Sequence, residues 1–170
     1  MTREAFLFKW FWYAMAVVPV WLAEDLIFSR FTLFGVSPML LPLAVVAVAV
    51  LEGPVAGAGF GLGVGLLWSA SPGGVGALSV ACLALAGAAA GGLAQYILKQ
   101  TYAGCLLCSA GLLLLLDLGH ILRRLLSAAA GLGVMLAVAV PEILVSLLFV
   151  APIYLLFRKV YSRVGGTKLM

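Results

Sequence analysis

The stretch Glu52-Gly53-Pro54-Val55-Ala56-Gly57-Ala58-Gly59-Phe60-Gly61-Leu62-Gly63-Val64-Gly65-Leu66-Leu67-Trp68-Ser69 decides the fold. After Glu52 it carries no charge. Glycines stand at 53, 57, 61 and 65, with Gly59 and Gly63 between them. A spacing of four places the first set on one face of a helix, where another backbone can come close. Packing and weak Cα–H contacts then replace the hydrophobic force that is missing between helices in a membrane. Gly87 and Gly91, with Ala84, Ala88 and Gly92, repeat the spacing further on, so packing of these two helices on each other is the first reading of the glycines. A face for a partner's transmembrane helix is the second. The run lacks the lysine of a P-loop, which argues against a nucleotide-binding loop.

The rest of the chain has the same character. Of its 170 residues 65% are apolar and 9% charged, the net charge is +4, and the mean hydropathy is +1.24. A soluble domain has about a quarter of its residues charged, so this chain cannot cover a water-facing surface. The apolar runs are unbroken and lack the alternation of an outer-membrane barrel. The expected fold is all-α, a polytopic membrane bundle of six short transmembrane helices. Six spans of about 20 residues use most of the chain, leaving too little for a separate catalytic or nucleotide-binding domain, and no nucleic-acid partner is expected.

The spans are expected at about 6–27, 38–51, 54–69, 75–98, 102–122 and 141–157. Arg3 and Lys9 precede an apolar stretch as in a signal peptide, but Glu24-Asp25 stands where a cleavage site would follow, so the first span is read as uncleaved. Ser37-Pro38 suits a helix start, and Pro141-Glu142 places a proline and a carboxylate where a helix N-terminus favours them. Residues 125–140 then form an interfacial or re-entrant connector, with a seventh span as the alternative.

With six spans both termini share a side. Arg3, Lys9, Lys99, Arg158, Lys159, Arg163 and Lys168 fall on that side, and Arg30, Arg123 and Arg124 on the other. The excess makes both termini cytoplasmic.

Few residues could carry chemistry. Cys105 and Cys108 have the spacing of a thiol pair, but they lie in an apolar segment with no nearby cation to stabilise a thiolate and read as packing side chains. His120 is the sole histidine, and no metal-ligand set or nucleophile–base–acid set stands out. No cofactor is expected, and enzyme is the least supported class. The charges Glu24, Asp25, Asp117, His120, Arg124 and Glu142 are expected to gather at the outer end. Asp117, His120 and Arg124 share a helix face there. An ion-pair network tying the outer helix ends together is the plain reading; a docking site or the mouth of a small-molecule cavity is the sharper one.

Four pieces together resemble the rod shape-determining MreD family. They are the opening span closing on Trp21-Leu22-Ala23-Glu24-Asp25, the proline-led Pro38-Met39-Leu40-Leu41-Pro42, the glycine run 52–78, and Pro141-Glu142-Ile143-Leu144 leading to Phe157-Arg158-Lys159. The chain departs from that pattern at Trp68-Ser69-Ala70-Ser71, where many members carry an aspartate. The resemblance implies a non-catalytic scaffold of the bacterial plasma membrane. It would bind MreC directly and work with MreB, RodA and a penicillin-binding transpeptidase in lateral peptidoglycan synthesis. It also implies a fold like the S-components of energy-coupling-factor transporters. The alternative function is therefore a vitamin-binding S-component, against which stands the scarcity of polar side chains able to converge on a ligand.

Overall fold

A computed structural model of the chain describes residues 3–28, 38–70, 77–98, 101–126 and 132–164. Among these every regular element is helical. Helix α1 covers Arg3–Leu22 and continues as a wider π-helical turn at Ala23–Phe28. Then follow α2 (Leu40–Glu52), α3 (Pro54–Ala70), α4 (Ala77–Leu93, with a π-helical end at Ala94–Leu98) and α5 (Tyr102–Leu126). The chain closes with α6 (Leu132–Leu148) and α7 (Val150–Val164). Ser79–Tyr96, Tyr102–Gly119 and Ala139–Val164 are long and apolar enough to cross a membrane. The outside of the bundle is apolar too: Phe8, Phe11, Met15, Leu66, Leu85, Leu114, Leu118, Leu144, Leu148 and Leu155 all face outward. Such a surface needs lipid rather than water.

The fold is organised around α2. Every residue from Leu40 to Leu51 is buried, and α1, α3, α4, α5 and α7 all pack on it. A helix apolar on all sides belongs in the middle of a bundle. At 13 residues it is about 20 Å long, so its ends lie inside the apolar mass and their backbone groups must be satisfied there. They are. At the N-terminus, Met39 N–H donates to Ser146 Oγ (3.1 Å), while Leu40 and Leu41 N–H donate to Glu24 Oε2 (2.8 and 2.7 Å). Pro42, in the next position, has no N–H to satisfy. The carboxylate also lies at the positive end of the helix dipole.

Glu24→Ala leaves two buried N–H groups without an acceptor, each worth about 1–3 kcal/mol. Glu24→Gln keeps an acceptor oxygen. Thermal melts in one detergent are expected to rank wild type, Gln, then Ala; Ala melting with the wild type would remove Glu24 as the cap.

Gly53 alone joins α2 to α3. Its φ of 99° lies in the left-handed region that favours glycine, and its N–H donates to Ala49 O (2.9 Å). Pro54 then opens α3, where its missing N–H loses nothing.

The C-terminal part departs from the sequence expectation. Pro141 does not begin a helix: it lies inside α6, which starts at Leu132, within the stretch expected as a connector. The apolar residues ahead of Pro141 continue the helix through it. The break comes at Phe149, the one residue between α6 and α7. Its cause is Pro152, whose ring excludes the carbonyl four residues back, that of Leu148. Phe149 N–H turns instead to Ser146 O (3.0 Å).

Candidate functional site

Helix α3 carries glycine on two opposite faces. Two residues along a helix turn it by about 200°, so the row 57, 61, 65, which Gly53 precedes in the link, and the row 59, 63 point apart. The first row meets α4. A Cβ added at Gly57 would sit 2.5 Å from Gly87 O, one at Gly61 2.5 Å from Leu83 O, and one at Gly65 2.9 Å from Val80 Cα. From the other side, a Cβ at Gly91 would lie 2.6 Å from Gly53 C and Pro54 N. Gly53, Gly57, Gly61, Gly65, Gly87 and Gly91 thus line one close backbone contact.

The second row is open: among the described residues a Cβ at Gly59 or at Gly63 would find no atom within 4 Å, and both glycines are exposed. They face a groove of about 960 Å³ between α1 and α3. The two helices touch through Trp10, Tyr13 and Phe60, whose ring centroids lie 5.9–6.4 Å apart, while their backbones stay largely separate. Val17 and Val18 form one wall; Val55, Gly59, Gly63 and Leu67, again four apart, form the other. From Val55 to Leu67 the groove runs about 18 Å.

At one end of the groove sits a buried ion pair. Lys9 Nζ lies 2.5 Å from Glu52 Oε2, and Tyr13 OH donates to Glu52 Oε1 (2.7 Å). Both charged side chains are less than a tenth exposed. Glu52 ends α2, where the dipole is negative and a carboxylate is disfavoured. The Lys9 ammonium supplies the compensating charge. Tyr13 is fully buried and stacks on Phe157 of α7 (centroids 6.3 Å apart, planes 10° apart), so the pair also joins α1, α2 and α7. Sequence reading missed this pairing. Its signal was that Lys9 opens the first span and Glu52 closes the second, which brings both to the same end of the bundle.

Glu24 caps α2, and Asp25 stands beside it in the π-helical turn. Glu142 is half-buried on α6. Asp117 is buried on α5, and its Oδ2 has no hydrogen-bond partner among the described residues. The side chains of His120 and Arg124 lie outside the described residues. Cys105 and Cys108 are free and buried, Cys82 free and half-buried. Comparison of the chain with protein-family models, curated proteins and solved structures returned no match.

Proposed function

We propose that this protein is a non-catalytic scaffold of the MreD kind, held in the bacterial plasma membrane by six spans with both termini cytoplasmic. Its α1–α3 groove would receive the transmembrane helix of a single-pass partner. In the cell-elongation complex that partner is MreC, with RodA, a penicillin-binding transpeptidase and MreB further out. The observation that carries the reading is the open glycine row. Glycine in a helix costs about 1 kcal/mol relative to alanine, and at 59 and 63 no contact among the described residues offsets it. A second backbone laid against Val55, Gly59, Gly63 and Leu67 would offset it, as in small-residue helix dimers. Beyond the Lys9–Glu52 pair at one end, the groove's walls are apolar, which suits a helix better than a polar vitamin.

The test is co-purification from native membranes in mild detergent. Wild type should recover MreC. Gly59→Leu/Gly63→Leu fills the groove without touching α4, so it should fold normally and lose the partner by about tenfold or more, the range of a lost close-packed contact. Undiminished recovery by that variant would remove the groove as the dock. Recovery of a transporter subunit with paired ATPases would replace the scaffold with the S-component reading.

A further inference from the structure

A second recess lies on the far side of α1 from the groove, and its chemistry is different. We propose that it binds the headgroup phosphate of an anionic phospholipid. The recess, about 230 Å³, is formed by Trp12 of α1 and by Leu156, Lys159, Val160 and Arg163 of α7. Its volume is roughly that of eight liquid waters, too small for a helix and enough for a phosphate with its glycerol linkage. Lys159 and Arg163 are one helical turn apart and exposed, so an ammonium and a guanidinium converge on one mouth. Among the described residues no acidic side chain lines it.

The site is built before any ligand arrives. Trp12 is braced edge-on by Phe8 (centroids 6.0 Å apart, planes at 74°). Behind the recess, the Tyr13–Phe157 stack ties α1 to α7, and the Tyr13–Glu52 hydrogen bond holds the Tyr13 ring against α2. Leu156 and Val160 give an apolar floor, and outward-facing Phe8, Phe11 and Leu155 continue an apolar surface nearby. An acyl chain can follow that surface while the phosphate stays with the cations. The Arg163 fork can hold two phosphate oxygens at once, and the Lys159 ammonium adds a point charge. Tryptophan at this level suits the membrane interface, and basic pockets between transmembrane helices are a known way to hold acidic headgroups. The inference needs the chain to lie in a membrane and does not depend on the identity of its protein partner.

Native mass spectrometry of the full-length protein, titrated with dioleoyl phosphatidylglycerol or dioleoyl phosphatidylcholine, tests it. Wild type should retain phosphatidylglycerol in preference to phosphatidylcholine. Lys159→Gln and Arg163→Gln should each weaken that retention about tenfold, as expected for loss of a charge-assisted hydrogen bond. Arg158→Gln removes the same charge from a residue outside the recess and should leave retention unchanged. Equal retention of the two lipids, or equal losses in all three variants, would overturn the proposal. So would inorganic phosphate displacing the lipid at equal concentration, which would assign the recess to a free anion.

Discussion

Gly57→Leu/Gly61→Leu is expected to abolish the folded bundle. The atoms that would meet the new side chains belong mostly to backbone: Gly87 O and Leu83 O at 2.5 Å, and Ala84 Cα at 3.0 Å. Backbone cannot rotate aside as the end of a flexible side chain can, so α3 and α4 must separate. Separation also disturbs α2, because Ala49 Cβ lies 2.6 Å from the Cβ position of Gly57. Overpacking typically costs about 1–3 kcal/mol per site, against a total stability of about 5–15 kcal/mol. Two sites on one interface remove a large share of it. Size-exclusion profiles and thermal melts should show aggregated or low-melting material. The comparison that gives the result its meaning is Gly59→Ala/Gly63→Ala on the same helix. There no described residue stands within 4 Å, and alanine is the better helix former, so the melt should be unchanged or higher. A double-leucine variant that melts like wild type would mean that α3 and α4 do not pack in this way.

The second large effect is expected at the Lys9–Glu52 pair. Lys9→Met leaves a buried carboxylate without its cation, a change of about 3–5 kcal/mol. Adding Glu52→Gln removes the stranded charge and keeps an acceptor for Tyr13 OH, so the double variant should recover most of the loss. Melts of wild type, the two single variants and the double variant form the cycle. Additive losses would show that the two side chains act independently. A harmless Lys9→Met would show that the ammonium does not balance Glu52.

These effects were not equally legible beforehand. The glycine spacing in 53–65 and 87–91 is local, and the α3–α4 contact could be read from it directly. The opposite row at 59 and 63 was visible as glycine, but not as an open face, because what covers a helix face depends on where a distant helix lies. Glu24 was placed in an outer charged cluster. Its bonds to Leu40 and Leu41 depend on α2 being too short to bring its N-terminus to the surface, which no local pattern states. Lys9 was counted as an orientation charge, and its partner is 43 residues away. Pro141 suits a helix start by its local chemistry yet lies inside α6, while Pro152, set four residues beyond Leu148, marks where the helix breaks.

The scaffold account stands most directly on what occupies the α1–α3 groove in the native membrane. A photoreactive phenylalanine analogue placed at Gly63, with a second at outward-facing Leu85 of α4 as reference, reads that occupant by ultraviolet crosslinking and mass spectrometry. The expected result is a crosslink from position 63 to the transmembrane segment of a single-pass protein of the MreC kind, and none to it from position 85. Crosslinks from position 63 to lipid alone, or to the same proteins as from position 85, would contradict it.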